Sequence, residues 1–244
     1  MDIQMCIMQS LSQASDIPSI AKSIYLAVMT KPPRSLHDLA NSTGTDYKCL
    51  RRHCAHLVDA GWLRLKRVGR LLVPCDAVPV SVADRVADML RNEIEVAPYR
   101  GEAVAKAIVS WIVAPRVRIL FNARVEHLKS TKTGQPLEYD IYIPEWKWAG
   151  EYFGDQHFSP TKMYQDANEF AKRVQRDYEK ARLSRKNGIR LSIFTKEELT
   201  IEAVDAMMPP EIPRRCYEPQ GPVAHMLDEL GKQVASSKDY WDRD

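Results

Sequence analysis

The sequence predicts a mixed α/β protein in two parts, with helices and a hairpin first and a helix-flanked central mixed sheet second. Three observations support this fold class: apolar residues at helical spacing before residue 60, strand-like segments after residue 115, and Pro and Gly residues between them. A chain of 244 residues is long enough for two small domains. We therefore place a first domain at residues 1–75, a helical connector at 76–100 and a second domain at 101–244.

The first domain is predicted to contain three helices followed by a hairpin. Ser35 is placed to cap a short middle helix at residues 36–41, and Gly61 ends the third helix. Two short strands are expected at residues 62–67 and 70–74. The first helix is expected to bury Ile20, Ile24, Tyr25 and Val28. The third helix is expected to bury Leu50, Cys54, Leu57 and Val58.

The third helix and the hairpin are both basic, since residues 45–73 hold seven Lys and Arg side chains against only Asp46 and Asp59. The layout of SLHDLANSTGTDYKCLRRHCAHLVDAGWLRLKRVGRLLVPC resembles a winged helix-turn-helix domain. The resemblance implies that the third helix enters the major groove of DNA and that the hairpin contacts phosphates. The implied DNA-binding residues are Tyr47, Lys48, Arg51, Arg52, Arg64, Lys66, Arg67 and Arg70. Winged helices also mediate protein contacts, so that interpretation stays open.

The second domain is predicted to consist of a helix, a three-strand meander, a long helix and a returning strand. The helices are expected at residues 102–113 and 164–186, and the strands at 117–121, 137–144, 148–153 and 189–195. The Pro-rich residues 209–222 are expected to be irregular, and one more short helix is expected at 223–235.

The segment PLEYDIYIPEWKWAGEYFGDQHF, residues 136–158, carries the strongest functional signal. It places Asp140 in one predicted strand and Glu151 in the next, so that two carboxylates can meet and hold Mg²⁺. The segment resembles the core of PD-(D/E)XK endonucleases, which have the restriction-endonuclease-like fold. The resemblance implies hydrolysis of phosphodiester bonds with Mg²⁺ or Mn²⁺, which polarises the scissile phosphate and helps generate hydroxide. It also implies an acidic metal ligand on the first core helix, which here is Glu102.

The sequence departs from the family pattern at the lysine, because the usual Glu-x-Lys spacing falls on Phe153. Some members carry Glu-x-x-Gly-x-Gln-His instead, and EYFGDQHF resembles that form. By this resemblance Gln156 takes the place of the lysine and His157 contacts phosphate or supports the site. Lys180, on the long helix, is a second candidate for the missing charge. The implied catalytic residues are Glu102, Asp140, Glu151, Gln156, His157 and Lys180.

The cysteines and histidines give no comparable signal. The five cysteines are odd in number and form no CxxC pair, so neither a zinc ribbon nor a redox motif is indicated, and unpaired thiols suit a reducing cytosol. Cys49, His53 and His56 share one helical face, but no fourth ligand is near, so packing is favoured over a metal site. With neither a signal peptide nor a membrane-length apolar run, we expect a cytoplasmic protein without membrane partners.

Two functions are consistent with these patterns. The first is a metal-dependent endonuclease that a winged helix brings to double-stranded DNA, in a mobile element, a phage or a defence system. The second is a DNA-binding regulator or assembly protein whose nuclease fold has lost its chemistry, which Phe153 favours. A single active site cuts one strand at a time, so double-strand cleavage requires a homodimer or sequential nicking. An activating protein partner also stays open.

Overall fold

The computed structural model describes residues 3–154 and 167–237, which form a mixed α/β fold with two small sheets. The chain divides into two compact units that alternate along the sequence. The first unit comprises Met1–Asn92, Trp111–Val117 and Pro213–Met226. The second unit comprises Glu93–Ser110, Arg118–Ile212 and Leu227–Asp244. None of the helices in the described ranges is both long enough and apolar enough to cross a membrane.

The first unit contains four helices and a two-stranded antiparallel sheet, followed by the start of a fifth helix. In chain order these elements are α1 (Ile3–Gln13), α2 (Ser19–Thr30), α3 (Leu36–Thr43), α4 (Tyr47–Asp59), β1 (Leu63–Val68), β2 (Leu71–Asp76) and α5 (Val80–Val96). The predicted helices, hairpin strands and connector helix are thereby confirmed as elements.

Local chemistry explains where α3 and α4 begin and end. The Ser35 hydroxyl accepts a hydrogen bond from the amide of Asp38, and the Asp46 carboxylate accepts two from the first turn of α4. Gly44 ends α3 with φ of 63°, a left-handed conformation that glycine adopts without strain. The cap predicted at Ser35 is therefore confirmed, and the short turn fixes how α4 follows α3.

Three expectations about the first unit were wrong. Helix α1 was not predicted, although Ile3, Ile7 and Leu11 are buried along one face of it. Ile20 and Val58 were expected in the core, but they are 53% and 36% exposed. The other three predicted positions of each helix are buried, so only one residue at the edge of each apolar face was misplaced.

The second unit is built around a four-stranded mixed sheet in the order β3-β4-β5-β6. Strands β3 and β4 and strands β4 and β5 pair antiparallel, whereas β5 and β6 pair parallel. Its elements are α6 (Arg100–Ile112), β3 (Leu120–Ala123), β4 (Tyr139–Ile143), β5 (Trp148–Phe153), α7 (Ala167–Lys186), β6 (Arg190–Thr195), α8 (Ile201–Met207) and α9 (Pro222–Ser236). The predicted meander, returning strand and C-terminal helix are confirmed as elements.

The second unit also differs from the sequence prediction in detail. Strand β3 begins at Leu120 rather than at residue 117, because Val117 closes a turn onto Ala114 instead of extending. Helix α8 was not predicted; its cap is the Thr200 hydroxyl, which accepts a hydrogen bond from Ala203. Residues 164–166 of the predicted long helix lie outside the described residues.

The segment at residues 213–226 belongs to the first unit rather than to the part of the chain that surrounds it. Arg214 forms an antiparallel bridge with Val113, and the amide of Arg215 donates to the carbonyl of Ile112 at 2.8 Å. The sequence placed one linear boundary in the connector, whereas these long-range backbone bonds make the units alternate along the chain.

Candidate active site

The candidate active site of the second unit begins with two carboxylates on neighbouring strands. Ile141 pairs with Gly150, so Asp140 and Glu151 are the next residues of β4 and β5 in the same register. The amide of Asp140 donates to Glu151 Oε1 at 3.4 Å, and the amide of Tyr152 donates to Asp140 Oδ2 at 2.9 Å. The antiparallel pairing thus brings together the two acidic residues that the sequence predicted.

Helix α7 adds a cation to this pair. Lys180 Nζ donates to Glu151 Oε2 at 2.6 Å, and the two side chains are only 14% and 4% exposed. One turn later, the Ser184 and Tyr139 hydroxyls hydrogen-bond at 2.7 Å, and Leu183 packs in the same apolar cluster as Tyr139. The packing of α7 against β4 therefore positions Lys180 along the helix so that its ammonium group reaches Glu151.

Burial shifts the protonation of both carboxylates. It raises the pKa of Glu151 to about 8; the Asp140 charge adds to the increase, while the Lys180 ammonium opposes it. Burial also raises the pKa of Asp140, and the charge of Glu102 adds to the effect. The site therefore holds more negative charge than its burial favours, and a bound cation would relieve this.

Helix α6 supplies the third predicted acid together with a second lysine. Glu102 and Lys106 form an ion pair one turn apart, and Lys106 also donates to the side-chain oxygen of Asn122. Asn122 has φ of 49°, a left-handed conformation that few residues other than Gly and Asn accept readily. Glu102 is thus paired with Lys106. Its charge is also close enough to Asp140 to raise the pKa of Asp140.

Gly101 sets the approach of α6 to β5. A Cβ atom at this position would lie 2.1 Å from Cζ of the Tyr152 ring, well inside contact distance. The missing side chain therefore lets the ring lie over the first turn of α6. This contact positions the helix that carries Glu102 beside the strand that carries Glu151.

Among the described residues, two carboxylates rather than three could hold a divalent cation. Within residues 3–154 and 167–237, no group of three His, Cys, Asp or Glu side chains is close enough together to hold a metal ion. Mg²⁺ is commonly bound by one or two protein carboxylates, and water and substrate phosphate complete its octahedron. Asp140 and Glu151 could supply these two carboxylates, whereas Glu102 does not form a three-ligand group with them.

The lysine position of the family motif holds an aromatic residue here. Phe153 lines an open, mainly apolar cleft of about 310 Å³ together with Tyr178 and Ile193, and Glu151 and Lys180 also line this cleft. Gln156 and His157, the other predicted catalytic residues, lie outside the described residues.

A second, more polar cleft lies beside the same lysine. It has a volume of about 480 Å³, and its charged lining is more basic than acidic. The basic residues of the lining are Arg124, Arg173, Arg176 and Lys180, and the acidic residues are Glu138 and Asp177. Since Lys180 lines both clefts, a negatively charged chain lying in the basic cleft would pass close to the carboxylates.

The predicted DNA-binding residues of the first unit are largely at the surface. All seven basic side chains of α4 and the hairpin are exposed, whereas Tyr47 is half-buried and stacks on His37 with ring centroids 4.1 Å apart. Arg64 forms an ion pair with Glu218, which reduces its free charge. The exposed basic residues are Lys48, Arg51, Arg52, Arg64, Lys66, Arg67 and Arg70.

The histidines of α4 have separate environments. His53 is buried at 9% exposure, and His56 Nε2 lies 3.0 Å from the carbonyl oxygen of Asp16. The Cys49 sulfur accepts a weak hydrogen bond from Arg52. Of the three residues, His53 is buried, Cys49 is half-buried and His56 is exposed, so the predicted partly buried packing fits His53 and Cys49 but not His56.

Sequence reasoning missed several residues around the site. Lys106 lies four residues after Glu102, so a helical ion pair could have been foreseen from spacing alone. Asn122 and Tyr152 gave no comparable signal, because their importance depends on a left-handed backbone and on a glycine from another element. Glu179 was not singled out from the sequence, but it is buried and accepts a hydrogen bond from the Ser130 hydroxyl at 2.8 Å.

Comparisons of this chain with known protein families, with curated proteins and with solved structures find no match.

Proposed function

We propose that this protein is a metal-dependent DNA endonuclease that hydrolyses phosphodiester bonds at the Asp140–Glu151 pair. The observation that carries the proposal is a carboxylate pair, Glu151 buried and Asp140 half-buried, with a lysine ammonium 2.6 Å from one of its oxygens. Phosphodiester hydrolysis develops negative charge, which a metal ion and a lysine can both stabilise. The family resemblance of residues 136–158 supports the same chemistry.

The residues have separate roles in this proposal. Asp140 and Glu151 would hold Mg²⁺ or Mn²⁺, which when bound supplies Lewis-acid polarisation and a hydroxide nucleophile. Lys180 would orient Glu151 through their hydrogen bond, and its positive charge lines the basic cleft in which the phosphate backbone would lie. Lys106 holds Glu102 close to the pair, so that Glu102 acts on Asp140 through its charge or through water. The basic cleft would carry the phosphate backbone.

The element order of the second unit supports a restriction-endonuclease-like core. A helix, an antiparallel meander, a crossing helix and a strand parallel to the last meander strand follow one another, with both carboxylates in the meander. In the first unit, α2, α3, α4 and the β1-β2 hairpin follow the order of a winged helix. We propose that α4 and the hairpin bind double-stranded DNA in the cytoplasm.

A plasmid assay tests the catalytic proposal. Purified protein is incubated with supercoiled plasmid in Mg²⁺, Mn²⁺ or EDTA, in parallel with Asp140→Asn and Glu151→Gln. Glu145→Gln is a matched control, because Glu145 is an exposed carboxylate in the turn between the same two strands. We expect nicking that needs metal, is lost in both site variants and persists in the control. Metal-independent nicking, or nicking that survives both site variants, would overturn the assignment.

The second candidate is a DNA-binding regulator or assembly protein without catalysis. Phe153 favours it, because an aromatic residue stands where the family pattern has its lysine. Salt-dependent binding to duplex DNA without cleavage in either metal would support this function. Loss of binding in an Arg51→Glu/Arg52→Glu variant would then assign the interface to α4.

A further inference from the structure

Two cysteines that are far apart in sequence lie side by side in the first unit. Cys75 is the penultimate residue of β2, and Cys216 lies in the segment at residues 213–226. Asp76 and Arg215, the residues next to them, face each other at 3.9 Å, and each thiol shifts the pKa of the other. The sequence gave no indication of this pair, because 140 residues separate the two cysteines.

The polypeptide around the pair is anchored on both sides. Cys75 pairs with Arg64 in the β1-β2 ladder, and Cys216 follows Arg215, whose amide donates to the Ile112 carbonyl at 2.8 Å. The Arg215 guanidinium is buried, faces Asp76 at 3.9 Å and lies over the Trp111 ring. The two sulfur atoms are therefore held together by ordered backbone on each side, rather than meeting by chance at a chain end.

Cations and an opening lie next to Cys216. The charges of Lys66 and Arg64 act on the Cys216 sulfur. The charges that act on Cys75 are those of Lys66 on the paired strand and of Asp76, the next residue of β2. Cys216, Arg64 and Glu218 line a cleft of about 110 Å³, a volume that admits a few water-sized molecules.

We propose that Cys75 and Cys216 form a peroxide-reactive thiol pair that closes to a disulfide. The Cys216 thiolate attacks one peroxide oxygen; an S–O bond forms, the O–O bond breaks, and the departing hydroxide takes up a proton as water. The Cys75 sulfur then attacks the sulfenic sulfur, an S–S bond forms, and hydroxide leaves with the Cys75 proton as a second water. The two thiols lose two electrons in total, and these reduce one peroxide molecule.

The electrostatic surroundings assign the two roles. The neighbouring Cys75 thiol, together with Lys66 and Arg64, lowers the pKa of Cys216, so Cys216 is the nucleophile. The Cys216 sulfur and burial raise the pKa of Cys75, whose thiol donates to the Val73 carbonyl at 3.7 Å, so Cys75 keeps its proton until the second step. Burial raises the pKa of Cys54 to about 11, which makes it an unreactive reference within the same unit.

The test is peroxide treatment of the full-length protein followed by peptide mapping. Reduced protein receives stoichiometric hydrogen peroxide, is quenched with iodoacetamide, and is digested without reductant. We expect a peptide pair joining Cys75 to Cys216, with a mass lower by two hydrogen atoms and reversed by dithiothreitol. We also expect Cys216 in reduced protein to be alkylated at least about tenfold faster than Cys54 near neutral pH.

Two variants separate the roles, and Cys6 and Cys49 are internal controls because both are free and partly exposed. Cys75→Ser should accumulate a Cys216 sulfenic acid that dimedone traps, whereas Cys216→Ser should give neither product. Thermal melting of both variants checks that they are folded. The proposal is overturned if wild type forms no Cys75–Cys216 link, if Cys6 or Cys49 oxidises first, or if dimedone labels Cys75→Ser and Cys216→Ser equally.

Discussion

Protons and divalent cations should compete for Glu151, and this competition can be measured. The perturbation is a change of pH from 6 to 8 during titration with Mn²⁺. With a pKa of about 8, Glu151 without metal is ionised in about 1%, 10% and 50% of molecules at pH 6, 7 and 8. Since a metal binds only the ionised carboxylate, its affinity should rise about tenfold from pH 6 to 7 and about fivefold from pH 7 to 8.

Isothermal titration gives both the affinity and the proton count. Titrations in two buffers with different ionisation enthalpies at pH 7 should show close to one proton released for each Mn²⁺ bound. Glu151→Gln should bind metal weakly and with little dependence on pH. Glu145→Gln, which alters an exposed carboxylate in the adjoining turn, should behave as wild type.

The same shift predicts how stability depends on pH in the absence of metal. The pKa of Glu151 is raised from 4.5 when unfolded to about 8 when folded, so the folded state binds the extra proton between these values. Its contribution to stability is therefore complete below pH 4.5 and is lost as pH rises through 8. Glu151→Gln should remove this decline. A wild-type Mn²⁺ affinity that is constant from pH 6 to 8 would refute the competition between Mn²⁺ and a proton for Glu151.

Three further variants test other contacts. Gly101→Ala should force the tyrosine ring off α6 and cost about 1–3 kcal/mol of unfolding free energy by urea denaturation; an unchanged midpoint would contradict the contact. Asp76→Asn should leave the buried Arg215 without a counter-charge and cost about 3–5 kcal/mol in the same assay, whereas a neutral effect would show that the guanidinium does not need it. Arg51→Glu/Arg52→Glu should flatten the salt dependence of duplex DNA binding measured by fluorescence anisotropy, and an unchanged slope would exclude α4 from the interface.

Features set by neighbouring residues could be predicted from the sequence. The Ser35 cap, the hairpin and the meander each depend on residues within a few positions of one another. The Asp140–Glu151 pair was also accessible, because adjacent antiparallel strands joined by a short turn must place facing residues together.

Features set by long-range packing could not be predicted. Helix α1 lacks charged residues in its first and last turns, so few local signals mark its ends. The Cys75–Cys216 contact requires residues 213–226 to join the first unit, which no local pattern announces. The clash that makes Gly101 necessary comes from a ring 51 residues away along the chain.

The position of the proposed catalytic cation distinguishes the two candidate functions most directly. The family pattern has its lysine on the strand that carries Glu151, where this chain has Phe153, and the structure instead brings Lys180 from α7 to the same carboxylate. If Lys180 has the role of that lysine, then Lys180→Met should lose at least about a hundredfold in metal-dependent nicking while keeping duplex binding.

Adding Phe153→Lys to Lys180→Met should then restore part of the activity, because the cation returns to the motif position two residues beyond Glu151 on its strand. Thermal melting and DNA binding of each variant exclude a folding defect as the cause of lost cleavage. Retained cleavage in Lys180→Met would remove Lys180 from the catalytic set. Rescue by Phe153→Lys would mean that one charge near Glu151 is required and that two different elements can supply it.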